Sequence, residues 1–299
     1  MAHQPWHGIT VATALPFDDE LAVDHDAYAA HVRWLAENGM DGVVPNGSLG
    51  EYQTLTEQER ARVVETAVEA APEGFAVMAG VAAYGALESC RWIEQAAKAG
   101  AHCAMLLPPN SYRADRAAVV DHYRAAASVG LPVVAYNNPI DTKVDLVPDL
   151  LAELHAEGLI VAVKEFTGDV RRAYRIRELA PGLDVLVGSD DVLLEVGLAG
   201  AVGWVSGYTN ALPVACRRVY DLATSGDPAD AVEALATYRD LHPLLRWDSQ
   251  VEFVQAIKLS MDVVGRRGGR CRPPRLPLAP EVAAGITRAT EAALAAGHR

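Results

Sequence analysis

Lysine is scarce in this chain, with four residues against twenty-two arginines. Cysteine is scarce too, and Cys90, Cys103, Cys216 and Cys271 lie far apart with no C-x-x-C pair. That pattern argues against a disulfide framework or a zinc site and for a reducing, cytoplasmic setting. Positive charge is outweighed: the net charge of −13 leaves no basic face for nucleic acid. No apolar run approaches the roughly eighteen residues that a membrane helix requires. The first residues, from Met1 to His7, hold no basic stretch followed by a long apolar run, so no signal peptide is expected. No G-x-G-x-x-G follows the first strand-like run, which weakens the case for a dinucleotide-binding fold.

Apolar residues make up 51% and charged residues 22% of the 299, the balance of a globular chain with a large core. Short apolar runs recur at 9–15, 42–45, 75–81, 103–107, 131–136, 159–163, 184–188 and 201–205. Six follow a glycine placed to close a helix in the left-handed conformation: Gly39, Gly100, Gly130, Gly158, Gly182 and Gly200. Helix-period segments lie between them. Tyr28 to Glu37 carries apolar residues at helical spacing, and Thr56 with Glu59 reads as a capping box. Strands this apolar are covered on both faces, as in a parallel sheet, and eight such units predict a (β/α)8 barrel. A doubly wound open sheet is the alternative. The expected division is a barrel over residues 1–222 and a helical extension over 223–299. That extension would hold helices near 213–225, 228–244 and 249–264, an Arg/Pro/Gly-rich stretch from Gly265 to Pro280, and a last helix.

A barrel carries its chemistry where the C-terminal ends of its strands meet. Three unusual segments fall at such ends: Asn46-Gly47-Ser48-Leu49-Gly50-Glu51, Tyr136-Asn137-Asn138-Pro139, and Lys164-Glu165-Phe166-Thr167-Gly168-Asp169. Lys164 closes an uncharged apolar run, where burial can strip its proton and leave an amine nucleophile. Bringing such a lysine from about 10.4 to about 7 means disfavouring its charged form by roughly 4–5 kcal/mol. Imine formation also needs a group that passes protons, and Tyr136 on the neighbouring strand suits it. Gly47, Ser48 and Leu49 offer a hydroxyl and consecutive N–H groups, an arrangement that binds a carboxylate. Plainer readings stand beside these: a simple turn at 47–50, a core tyrosine at 136, and a structural pairing of Lys164 with Glu165 or Asp169.

Together these segments make the chain resemble the dihydrodipicolinate synthase / N-acetylneuraminate lyase family of class I, Schiff-base aldolases and lyases. The family pattern is a G-[ST]-x-G-E turn, a Y-N-x-P motif, and a lysine 28 residues after its tyrosine within K-E-x-[TS]-G-D. All three occur here in order. Val187-Gly188-Ser189-Asp190 and the segment from Gly200 to Ser206, with Asn210 and Pro213, look like the seventh and eighth strands. The likeness runs from about residue 8 to about residue 278. It implies that Lys164 forms the imine and that Tyr136 relays protons. It implies that Ser48 holds the carboxylate and links to Tyr136, with the Leu49 N–H assisting. Gly47, Gly188 and Val205 would line the site, the Val205 carbonyl near the imine nitrogen. No metal or organic cofactor is implied, because the lysine is the electron sink. A small 2-oxo acid substrate and a homo-oligomer, dimer or tetramer, are implied as well.

The departures from the pattern bear on the substrate. Where the synthase proper has an arginine that grips its second substrate's carboxylate, this chain has Asp141, which would repel it. The expectation is a lyase acting on pyruvate or a pyruvate-derived 2-oxo acid in a catabolic aldol, dehydration or deamination reaction, with 4-hydroxy-tetrahydrodipicolinate synthesis as the alternative that Asp141 disfavours. Leu49 replaces the second hydroxyl of the first motif. The family's inter-subunit tyrosine aligns near Asn110, and Tyr112 fits only with a shift. His102, starting a strand, and His122, within a helix, are expected to be structural. A barrel that binds a 2-oxo acid without turnover would need no relay tyrosine, and an NAD(P)-linked oxidoreductase lacks its phosphate-binding motif.

Overall fold

In the computed structural model, which describes residues 4–110 and 112–299, the eight apolar runs form parallel strands. Residues 1–3 of the N-terminal segment and Ser111 lie outside the described residues. The strands are β1 (Gly8–Ala12), β2 (Gly42–Val44), β3 (Ala76–Gly80), β4 (Cys103–Leu106), β5 (Val133–Asn137), β6 (Ala162–Glu165), β7 (Asp184–Val187) and β8 (Gly203–Ser206). They pair in chain order and β8 pairs back with β1, so the sheet closes into a barrel. Only the first residues of β1 and β7 are less than fully buried, which is why the runs look continuous instead of alternating. Among the described residues no helix is long and apolar enough to cross a membrane.

The capping box forms as its sequence predicts. Thr56 Oγ1 accepts from the Glu59 N–H at 3.2 Å, while Glu59 Oε2 accepts from the Thr56 N–H at 2.9 Å. Gly39, Gly100, Gly130, Gly158 and Gly200 have positive φ; Gly182 does not. Gly182 instead leaves room for a side chain, since a Cβ there would lie 3.1 Å from His155 Nε2. β6 also begins later than its apolar run. The chain leaves the helix Pro148–Ala156 through Gly158, and pairing with β5 starts only at Ala162. Lys164 is therefore inside the strand, paired directly with Tyr136 on β5. Residues paired in a parallel ladder point to the same face, so both side chains enter the same end of the barrel.

After the helix Pro213–Thr224 come the helices Pro228–Leu245, Phe253–Val263 and Pro280–Ala295. The second of these starts later than the sequence suggests. A 3₁₀ turn, Arg246–Ser249, and the extended Gln250 precede it and fold Asp248 back over the barrel mouth.

Candidate active site

At that mouth lies a cavity of about 500 Å³ whose walls include Gly47, Ser48, Leu49, Tyr136, Asp141, Lys164 and Val205. Seven of the eight site residues expected from the sequence thus come together. Gly188 is not among the lining residues. It sits against β6, where a Cβ would be 2.3 Å from the Glu165 carbonyl oxygen, so it serves close passage of the chain.

Lys164 is 6% exposed. Its Nζ makes no hydrogen bond or ion pair among the described residues and lies 4.1 Å from the centre of the Tyr136 ring. The plainer reading of Lys164 as half of an ion pair is overturned, because both proposed partners are engaged elsewhere. Glu165 accepts from Asn137 Nδ2 at 2.9 Å and from the Thr167 N–H at 2.8 Å, and Asp169 is held by Arg171 at 2.6 Å. Burial lowers the Lys164 pKa to about 8, with Asp248, Asp190 and Asp141 pulling it back up.

Tyr136 is buried, and its hydroxyl accepts from Asn138 Nδ2 at 3.2 Å. The same amide donates to Asp141 Oδ2 at 2.8 Å, and Asn138 Oδ1 accepts from the Asp141 N–H at 3.2 Å. Asn138 thereby ties the tyrosine to Asp141. No hydrogen bond joins Tyr136 to Ser48. Desolvation raises the phenol pKa well above its ordinary range, so Tyr136 holds its proton.

The turn after β2 is strained in the direction its sequence allows. Asn46 and Glu51 both take positive φ, at 57° and 55°. The N–H groups of Gly47, Ser48 and Leu49 have no acceptor among the described residues, which leaves them free for an anion. Gly80 lets the turn approach β3, since a Cβ there would fall 2.3 Å from the Asn46 carbonyl oxygen. Glu51 is fully buried and pairs with Lys258 Nζ at 2.7 Å, while its second oxygen accepts from the Arg272 N–H at 2.9 Å.

Three residues in or beside the cavity carry no functional signal in the sequence, where Asp190 marks only the end of the seventh strand-like segment. Asp190 is buried and accepts from Trp204 Nε1 at 2.9 Å and the Tyr208 N–H at 2.7 Å; burial raises its pKa to about 6. Asp248 lines the cavity, and its Oδ2 accepts from the Asp190 N–H at 3.1 Å. Arg60 also lines it, stacked 4.2 Å over Trp92 and donating to the Ala82 carbonyl at 3.1 Å. No carboxylate pairs with Arg60 among the described residues. Of the other residues singled out, Asn110 lines the cavity while Tyr112 is 70% exposed and does not. His122 is buried, with Nε2 at 3.3 Å from the Leu107 carbonyl, and His102 Nδ1 accepts from the Val77 N–H at 3.0 Å. Both are structural contacts.

Comparison with known proteins agrees with this geometry. Residues 5–293 match the Dihydrodipicolinate synthetase family. An uncharacterised DapA-like lyase of Rhizobium meliloti is 33% identical over 273 residues, 91% of each chain. A 4-hydroxy-tetrahydrodipicolinate synthase of Methanothrix thermoacetophila is 34% identical over 278 residues, 92% of each chain. Among solved structures, the 4-hydroxy-tetrahydrodipicolinate synthase of Methylacidiphilum fumariolicum superposes with a TM-score of 0.91 at 26% identity, covering 97% of this chain and 96% of its own. The chain belongs to the dihydrodipicolinate synthetase family of lyases.

Proposed function

We propose that this lyase forms an imine between Lys164 Nζ and the carbonyl of pyruvate or a pyruvate-derived 2-oxo acid. It then breaks or makes a C–C bond, or eliminates water or ammonia from the adduct. The observation that carries the proposal is the buried amine of Lys164, which has no ion-pair partner among the described residues and stands beside Tyr136 in one cavity. Desolvation favours the neutral amine that must attack the carbonyl. The free N–H groups of Gly47 to Leu49 and the Ser48 hydroxyl offer a seat for the substrate carboxylate. Tyr136, still carrying its proton, donates to the carbonyl oxygen as it leaves as water. The imine itself serves as the electron sink, so the reading calls on no metal or organic cofactor.

Asp141 separates this reading from synthesis of 4-hydroxy-tetrahydrodipicolinate, the activity named for several relatives. Held by Asn138 at the cavity wall, its carboxylate repels a second anionic substrate at that point. A catabolic role and assembly as a homo-oligomer, dimer or tetramer, complete the proposal. The test is borohydride reduction in the presence of pyruvate, followed by intact-mass and peptide mapping. An adduct on Lys164 is expected, and its absence would sink the imine mechanism. Efficient condensation of pyruvate with aspartate semialdehyde would overturn the argument from Asp141.

A further inference from the structure

A cavity of about 500 Å³ holds far more than the carbons of pyruvate, so its outer walls bear on the rest of the substrate. Among the described residues its lining includes three cations, Lys164, Arg60 and Arg275. The lining acids fall beside the first two. Asp248 and Asp141 act on Lys164, and Glu88 and Glu57 on Arg60, each pair favouring the charged form of its cation. Arg275 has no carboxylate within ion-pair distance among the described residues.

Arg275 belongs to the basic segment that follows the helix Phe253–Val263, where its neighbours are employed differently. Arg266 stacks over Trp34, Arg267 pairs with Asp24, Arg270 donates to the Asp19 carbonyl and Arg272 pairs with Glu59. Those contacts fasten the segment to the barrel. Arg275 instead reaches the cavity wall half-buried, its guanidinium 5.0 Å from the centre of the Phe253 ring. One guanidinium N–H donates to the Val251 carbonyl at 3.3 Å, and the backbone N–H to the Arg272 carbonyl at 3.2 Å. The remaining donors of the planar fork have no acceptor among the described residues. Ring and backbone thus hold the arm in place while its fork stays open.

We infer that Arg275 is a specificity-determining residue, which holds a second carboxylate at the far end of a 2-oxo acid whose carbonyl sits at Lys164. The inference rests on the imine reading above. A guanidinium fork matches one carboxylate with two parallel hydrogen bonds. A phosphate, with up to twice the charge, calls for a second cation, and Arg60 already faces two acids. Asp141 repels an acid group at the wall after β5, and Arg275 receives one at the wall built by the C-terminal extension. Together they sort substrates by where along the carbon chain the second acid group falls. The substrate class is a 2-oxo diacid, its head carboxylate at Gly47 to Leu49 and its tail carboxylate at Arg275.

The test uses the whole chain with 2-oxoglutarate, 2-oxoadipate and 2-oxopimelate, each beside the unbranched 2-oxo mono-acid of equal length. Dissociation constants are read by calorimetry, with borohydride trapping of pyruvate run alongside. If pyruvate leaves no adduct on Lys164, the imine reading fails, and the calorimetry alone decides whether Arg275 holds an acid group. With wild type, at least one diacid should bind about tenfold or more tightly than its mono-acid, the gain of a charge-assisted pair. Arg275→Met, which keeps an apolar stem over Phe253, should bring that ratio to within about twofold of unity. The ratio is taken within each protein, so a merely structural loss weakens both acids alike, leaves the ratio standing and overturns the proposal. A wild type with no preference for any diacid overturns it too. If R275M does not fold, Arg275→Lys decides. A ratio cut by about threefold or more supports the role of the fork, and an unchanged ratio removes it.

Discussion

A buried amine with no ion-pair partner among the described residues holds Lys164 in readiness at the cost of its own charge. With the pKa lowered to about 8 by burial, the reactive neutral form falls tenfold for each unit of pH below that value. The rate of adduct formation with pyruvate should therefore rise with pH up to about 8 and level off above it. A flat profile between about pH 6 and 9 would show that the amine is not limiting. Tyr136→Phe keeps the ring beside Lys164 and removes only the hydroxyl held by Asn138. It should lower kcat by about 10²-fold or more, and an unchanged kcat would take Tyr136 out of the proton relay. Lys164 and Tyr136 stood out in the sequence because each ends an apolar run and opens a polar motif. Asp190 and Asp248 did not, since a lone aspartate carries no mark of burial. Only the fold shows that the backbone N–H of one fixes the carboxylate of the other.

The elements were easier to read than their ends. Eight apolar runs gave eight strands because both faces of each strand are covered, a property that composition records directly. The start of β6 was misplaced by three residues because Leu159, Ile160 and Val161 are as apolar as the strand. They lead from helix to sheet ahead of the register that begins at Ala162, and of the three only Val161 bonds to β5, its N–H donating to the Val133 carbonyl at 3.0 Å. Least visible was the link between the turn at 46–51 and the helix Phe253–Val263, made by the Glu51–Lys258 pair at 2.7 Å. Lys258 is 1% exposed and also donates to the Arg270 carbonyl at 2.9 Å. Lys258→Met leaves Glu51 charged and buried, so urea unfolding should show a loss of about 3–5 kcal/mol. Adding Glu51→Gln should recover part of it, because the cost lies in the orphaned carboxylate more than in the missing attraction. A loss below about 0.5 kcal/mol in the single variant would mean that the turn does not depend on this pair.

Across the whole molecule, a chain of net charge −13 is closed by a segment of the opposite sign. Residues 265–280 contain five arginines and no acidic residue. Arg267 pairs with Asp24, and Arg272 pairs with Glu59 beside the N-terminus of the helix Glu57–Ala70, while the Arg272 N–H reaches Glu51. The extension is thus fastened electrostatically to the two loops that frame the cavity mouth. Hydrogen bonding from Arg272 lowers the Glu59 pKa to about 2 from an ordinary 4.5. The unfolded chain then binds this proton more readily than the folded one. Its stabilising contribution is complete above about pH 4.5 and is lost as pH falls through about 2. Because the pair is partly open to solvent, screening limits that contribution to about 1 kcal/mol. Wild type should accordingly lose about 0.5 kcal/mol more than Arg272→Met between pH 6 and pH 3, read from urea midpoints. Equal losses in the two proteins would show that the basic segment is held by its backbone and apolar contacts, with its charge contributing nothing to the closure of the barrel.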